Sequence, residues 1–203
     1  MKYIHTFILF FFSLTISLAQ MSDTTSHSLP YEFIESYPGD YNQGSIIARM
    51  IDGLGYRYYW ATEGLSEKDL DYKPSEDSRT IRETLSHIYG LSSVVLNAAM
   101  GTPNGSASGE APTAFADIRR RTLENCDKAS KAFMSLEMEA VSGKKIIFNR
   151  GENSNSFPLW HLFNGPLADA IQHVGQIVGY RRAAGNPQDP KVNVFMGKNR
   201  GKS

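Results

Sequence analysis

The strongest constraint on the fold is a helical period in the placement of apolar residues. Along this chain of 203 residues, three long stretches repeat apolar side chains at steps of three and four. A fourth stretch, near the C-terminus, combines the same period with a stripe of polar residues. Steps of this size place side chains on one face of an α-helix, whereas a strand alternates at every second residue. The pattern predicts an all-α fold of four helices, which begin near residues 45, 81, 115 and 167.

Short motifs set the ends of these predicted helices. Gly64 ends the first helix, and residues 185–187, a Gly-Asn-Pro sequence, end the fourth. Thr80 and Glu83 predict a capping box ahead of the second helix, because each side chain can bond the backbone N–H of the other residue. Pro166 either opens the fourth helix or kinks it, since proline has no N–H to donate to the preceding turn.

Two connections lack a helical period. Residues 101–113 are rich in Gly, Ser and Pro and have no structural preference of their own. A dozen extended residues span roughly 40 Å, and a helix of about 20 residues is about 30 Å long. This connection can therefore run the length of a bundle and leave the second and third helices parallel, as in a four-helix bundle with one long crossover. Residues 142–157 predict a short hairpin or another extended excursion.

The first residues have the pattern of an export signal. Lys2 precedes an apolar run from Phe7 to Leu18, and small residues around Ala19 suit cleavage. The run is shorter than the roughly 20 residues that a membrane-spanning helix needs, so an uncleaved anchor is the less favoured alternative. We predict a signal peptide at residues 1–19 and an exported protein, periplasmic or secreted, with no stable membrane anchor after cleavage.

The mature chain divides into three predicted parts. Residues 20–43 form a linker that either lies along the domain or stays mobile, because they are rich in Ser and Thr and contain two prolines. Residues 44–187 form the helical bundle. Residues 188–203 form a basic tail that we expect to be loose.

The charge balance and the cysteine count narrow the range of possible functions. The chain has 21 acidic and 21 basic residues, so it lacks the basic excess that a nucleic-acid partner requires. The only tight basic run, Arg119 to Arg121, is interpreted as a solvated face of the third helix. Cys126 is the only cysteine, which excludes an internal disulfide. It falls on the apolar face of that helix and is predicted to be a packing residue rather than a nucleophile.

A polar stripe marks the fourth helix as the candidate functional element. Asp169, His173, Gln176 and Tyr180 fall within a sector of roughly 60° at about 100° per residue. If the other faces are packed, this stripe lines a cleft where polar groups need partners. A simpler interpretation stays open. In it, Asp169 lies in the first turn of the helix because the helix dipole stabilises an acidic side chain there, and His173 is its ion-pair partner one turn later. Small residues such as Gly175 leave room for another helix or for a second subunit in a homodimer.

The same pair suits a divalent metal ion. Asp169 and His173 can point at one ion, but an open metal site usually takes three protein ligands. The remaining histidines of the mature chain are His27 in the linker, His87 in the middle of the second helix, and His161 near the start of the last helical stretch. A lone histidine at the position of His87 is often a core residue with satisfied hydrogen bonds, so this alternative also stays open.

Two segments carry a resemblance to a known family. The stretches "SRTIRETLSHIYG" and "DAIQHVGQIVGYRRAAGNP" resemble the second-helix and last-helix segments of the DinB-like (DinB/YfiT) superfamily of metal-dependent four-helix proteins. The resemblance implies an up-down-down-up bundle with His87, Asp169 and His173 as metal ligands. Asp169 stands where the family commonly has a histidine. Two imidazoles and one carboxylate suit Zn, Ni, Fe or Mn.

The resemblance also implies a function. We expect a metal-dependent hydrolase that uses a water bound to the divalent metal on a small-molecule substrate. The alternatives are a non-catalytic exported metal-binding or structural module and a metal-dependent thiol S-transferase. Export favours hydrolysis, or no catalysis at all, over thiol transfer, because low-molecular-weight thiols act mainly in the cytosol.

Four further residues have predicted supporting roles. Gln176 and Tyr180 are candidates for hydrogen bonding to the ligands or for a pocket wall, although Tyr180 has ordinary packing as its alternative. Glu83 can orient His87 or act as a base, but its capping role is the preferred interpretation. His161 is the candidate fourth ligand, which would make the site closed and structural.

Overall fold

The described part of the chain is mainly helical, with one small sheet. The computed structural model describes residues 28–35, 39–105, 110–151 and 153–201, so the predicted signal peptide lies outside the described residues. In chain order the elements are α1 (Gln43–Thr62), α2 (Glu67–Leu70), α3 (Ile81–Met100), α4 (Phe115–Met134), α5 (Met138–Ser142), β1 (Lys145–Arg150), β2 (Asn153–Pro158), α6 (Trp160–Leu162), a π-helical turn (Phe163–Leu167) and α7 (Ala168–Ala183). The prediction of a mainly helical chain is confirmed, and the two strands depart from an all-α fold.

Side-chain caps begin two of the long helices. Asn42 starts α1, where its Oδ1 accepts a hydrogen bond from Ser45 N at 2.8 Å. The predicted capping box of α3 is present: Thr80 N donates to Glu83 Oε2 at 2.8 Å, and Glu83 N donates to Thr80 Oγ1 at 3.1 Å. Gly101 ends α3 at φ +71°, a left-handed conformation that glycine adopts without steric cost.

The four long helices pack around one apolar core. Helices α1 and α3 each pack against both α4 and α7, so the core lies between these four elements. Fully buried side chains from each of them fill it, among them Ile51, Leu54, Leu85, Ile88, Leu123, Phe133 and Ile177. Cys126 is buried in this core, as predicted, and burial raises the pKa of its thiol to about 12. The thiol therefore stays protonated and inert at neutral pH.

The buried Arg181 connects the last long helix, α7, to the C-terminal end of the first helix, α1. Arg181 in α7 directs Nη1 at the last carbonyls of α1, at 3.2 Å from Trp60 O, 3.0 Å from Ala61 O and 3.0 Å from Glu63 O. Its Nε donates to Asn186 O at 2.7 Å. The guanidinium thus donates to several carbonyl groups at the C-terminal end of α1, where a helix runs out of N–H donors of its own. Burial lowers the pKa of Arg181, and the carboxylates of nearby acidic residues oppose that effect.

The prediction of a loose tail is wrong for residues 193–199, which contact α1 and the N-terminal segment. Asn199 is buried, and Tyr56 Oη donates to its Oδ1 at 2.7 Å. Asn193 N donates to the same hydroxyl at 3.1 Å, and Ile34 N donates to Gly197 O at 2.7 Å. These hydrogen bonds hold the tail against α1 and the N-terminal segment. The basic composition of the tail gives no sign of them.

Part of the predicted linker lies along the domain. Tyr31, at φ +74°, places its ring against the backbone of Gly55 in α1, where a Cβ atom would come within 2.5 Å of that ring. The Tyr31 hydroxyl donates to Asp52 Oδ1 at 3.1 Å. Of the two alternatives for residues 20–43, the structure supports packing against α1 for the described residues around Tyr31.

The predicted hairpin is present. Strands β1 and β2 pair antiparallel, with Lys145 opposite Pro158 and Phe148 opposite Asn155. Asn104, from the long connection between α3 and α4, bonds to β1: its N–H donates to Ile147 O at 2.7 Å. The hairpin is therefore tied to the end of α3 rather than projecting freely. Within the described residues, no helix combines the length and the apolar character needed to cross a membrane.

Candidate metal centre

Helices α3 and α7 bring three predicted ligands together. His87 lies in the second turn of α3, and Asp169 and His173 lie in the first two turns of α7. One potential ligand atom from each residue lies within 4.8 Å of the others, a grouping that can hold a metal ion. His87 is therefore not an isolated core histidine, because its ring contacts Asp169 and is partly exposed.

A break in the backbone precedes Asp169. The π-helical turn Phe163–Leu167 contains Pro166, and Gly165 has a non-helical conformation at φ −100° and ψ −109°. Of the two predictions for Pro166, the kink is confirmed. Because the backbone leaves helical geometry at Gly165, this kink sets the direction at which α7 presents Asp169 to α3.

The carboxylate of Asp169 lies between the two imidazoles. Its Oδ2 is 3.1 Å from His87 Nε2, and its Oδ1 is 3.2 Å from His173 Nε2. The two rings meet edge to face, with centroids 4.7 Å apart. The simple Asp169–His173 pair predicted for one helix is thus present, but a third group from a different helix completes the cluster.

Gln176 sets the orientation of His173. The Nδ1–H of His173 donates to Gln176 Oε1 at 2.7 Å. In a neutral imidazole this bond leaves Nε2 without a proton, so its lone pair faces the Asp169 carboxylate 3.2 Å away. Two electron-rich atoms at that distance repel unless a proton or a cation lies between them. The predicted supporting role of Gln176 therefore has a physical basis in the structure.

The cluster is open to solvent. The side chains of His87 and Asp169 retain 33% and 40% of their exposure, while His173 retains 13%. Small molecules can therefore reach the cluster from the side of His87 and Asp169. This partial exposure distinguishes the group from a buried ion pair.

Three other predicted site residues lie elsewhere. Glu83 is exposed and bonds to Thr80, and the backbone hydrogen bond from Thr80 lowers the pKa of its carboxyl, so its capping role is confirmed. Tyr180 packs near Tyr72, with ring centroids 6.2 Å apart, which favours the packing alternative. His161 is exposed against Phe157, at 5.7 Å between centroids, and is not brought into the three-residue group.

His161 therefore does not supply a fourth ligand to this group. His161 precedes the π turn, and the break at Gly165 separates its direction from that of Asp169 and His173. His27 lies outside the described residues. The kink was one of the two alternatives predicted for Pro166, and the Asn-Gly-Pro sequence at 164–166 is a recognisable signal of such a backbone break.

Comparison with known proteins adds no relative. No family model, no curated protein and no solved structure matches the chain. The resemblance to the DinB-like superfamily accordingly stays a prediction.

Proposed function

We propose that the protein holds one divalent metal ion through His87, Asp169 and His173 and hydrolyses a small-molecule substrate there. The observation that carries this proposal is the convergence of three ligand atoms, from two helices, within 4.8 Å of one another. The hydrogen bond from His173 to Gln176 supports it, because it directs the free Nε2 lone pair toward the same point.

The donor set fits a first-row metal. Two ligand atoms about 2.1 Å from a shared ion in tetrahedral geometry lie roughly 3.4 Å from each other. The Asp169 carboxylate is close to that spacing from each imidazole, with Oδ2 at 3.1 Å from His87 Nε2 and the other oxygen, Oδ1, at 3.2 Å from His173 Nε2. Imidazole nitrogen and carboxylate oxygen together suit Zn, Ni, Fe or Mn.

Each residue of the cluster has a distinct role in this proposal. When bound, the ion supplies Lewis acidity, which lowers the pKa of a water molecule and polarises a carbonyl or phosphoryl oxygen. Asp169 offsets part of the positive charge, Gln176 holds the His173 ring in place, and the exposed side of His87 admits the substrate. Three protein ligands leave coordination positions for reactants, as catalytic sites require.

We further propose that the chain is an exported member of the DinB-like superfamily with an up-down-down-up bundle at residues 44–187. Packing of α1 and α3 against both α4 and α7 supports a four-helix arrangement. The long connection between Met100 and Phe115 supports a crossover that leaves α3 and α4 parallel.

Metal content and hydrolysis test the proposal together. The protein, purified without chelator, should contain about one equivalent of a first-row metal. The variant His87→Ala should lose that metal, whereas His161→Ala, a matched control on an exposed histidine outside the group, should keep it. A metal-free, folded parent protein would contradict the metal site.

A panel of ester, amide and phosphoester substrates then separates the two functional classes. Hydrolysis that disappears with chelator, returns with added metal and is lost in His87→Ala supports the enzyme. Stoichiometric metal without hydrolysis of any ester, amide or phosphoester on the panel would instead favour the non-catalytic metal-binding module.

A further inference from the structure

An apolar cavity lies away from the three proposed metal ligands. It has a volume of about 650 Å³ and is bounded by the start of α1, by α5, by the open end of the hairpin and by α6. This volume falls within the range of roughly 300 to 1,000 Å³ that small-molecule sites occupy. None of His87, Asp169 and His173 lines it.

The walls of this cavity expose large apolar side chains to solvent. Trp160 is 78% exposed, and Ile46 and Phe157 are also exposed, yet all three line the same cavity. Ile47 and Val141 are buried and form part of the apolar lining. Large apolar groups that converge on one cavity, instead of being scattered singly, indicate a surface that is covered by a ligand.

Among the described residues, one lysine at this apolar cavity has no ion-pair partner. Lys144 and Lys145 both line it, but Lys144 Nζ donates to Ala99 O at 2.6 Å and is tied to the end of α3. Lys145 is exposed at the first position of β1, and no carboxylate of the described residues forms an ion pair with it. An unpaired ammonium beside an apolar cavity complements a ligand with one anionic end.

We propose that this cavity binds an amphiphile that has an apolar chain and an anionic head group. The chain lies against Ile46, Phe157 and Trp160, and the head group pairs with the Lys145 ammonium. This site is independent of the metal centre, because the two share no residue.

Calorimetric titration with decanoate, below its micelle concentration, tests the proposal. We expect saturable binding at one site. Trp160→Ala should weaken it about tenfold, equivalent to about 1.4 kcal/mol, because the largest apolar wall is removed. Phe195→Ala removes an exposed aromatic side chain elsewhere and should leave decanoate binding unchanged. Both substitutions are at exposed positions, so thermal unfolding should confirm that each variant folds.

A neutral ligand isolates the part played by Lys145. Lys145→Gln should weaken decanoate binding about threefold, as expected for an exposed ion pair, and leave decanol binding unchanged. His87→Ala should bind decanoate as the parent does. Absence of saturable binding, equal affinity in Trp160→Ala, an unchanged decanoate affinity in Lys145→Gln, or loss of binding in His87→Ala would each overturn the proposal.

Discussion

His87 Nε2 lies 3.1 Å from Asp169 Oδ2, although 82 positions separate the two residues in the chain. This contact joins α3 to α7 and turns a local Asp169–His173 pair into a cluster of three groups that could hold a metal ion. A pair within one helix is explained by the helix alone, whereas this contact requires the two helices to face each other at a particular rotation. The proposed metal site rests on that relationship.

We predict that Gln176→Leu weakens metal binding by about 10- to 100-fold while all three ligands remain. The substitution removes the acceptor that holds His173 Nδ1–H at 2.7 Å, so the ring no longer directs Nε2 at the site. Competition with a chromophoric chelator measures the affinity. Gln172→Leu, at an exposed position of the same helix, is the matched control and should bind metal as the parent does. Equal metal affinities in the two variants would show that Gln176 does not support metal binding.

Arg181→Met should lower the free energy of unfolding by about 2 to 4 kcal/mol. The substitution removes the Arg181 donor from the carbonyls of Ala61 and Glu63 at the end of α1, and the hydrogen bond to Ala61 is buried, so water does not readily replace it there. Urea unfolding followed by circular dichroism measures the change. The neighbouring Arg182 is exposed, so Arg182→Met should shift the unfolding free energy by less than about 0.5 kcal/mol. Similar losses in both variants would contradict the capping role.

The sequence was sufficient for features that depend on local periodicity. Asp169, His173 and Gln176 share one helical face because of their spacing, and the Thr80–Glu83 capping box follows from two residues three apart. The packing of Cys126 follows from the same period. These relationships depend only on the geometry of a single helix, which can be derived from the spacing of residues in the sequence.

Features that depend on contacts between distant segments could not be predicted. The anchoring of Asn199 by Tyr56 links residues 143 positions apart, and the role of Arg181 depends on where α1 ends in space. His161 was a candidate fourth ligand near the start of the last helical stretch, but the break at Gly165 redirects the chain between His161 and Asp169. The apolar cavity beside Trp160 likewise arises from elements that are separate in sequence.

Asp52 should make the stability of the protein depend on pH. Burial raises the pKa of its carboxyl above the ordinary value of 3.8, with hydrogen bonds and Arg49 opposing the effect. As pH rises from that value, the unfolded chain loses this proton before the folded protein does, so the free energy of unfolding falls until pH passes the raised folded-state pKa. Asp52→Asn keeps an acceptor for the Tyr31 hydroxyl and removes the titration.

The variant should therefore gain stability over the parent as pH rises from 3 to 7, with most of the gain above the ordinary pKa of 3.8. Urea unfolding of both proteins across this range measures the difference. Asp77→Asn, at an exposed position, should follow the parent curve. A difference between Asp52→Asn and the parent that is constant with pH would show that Asp52 has the same pKa in both states.

The most direct measurement is an anomalous difference map from crystals of the protein grown with Zn²⁺. The account predicts one strong peak within about 2.0 to 2.2 Å of His87 Nε2, His173 Nε2 and a carboxylate oxygen of Asp169. A peak bound to surface carboxylates alone, or a map with the three side chains ordered and no density between them at saturating Zn²⁺, would contradict it.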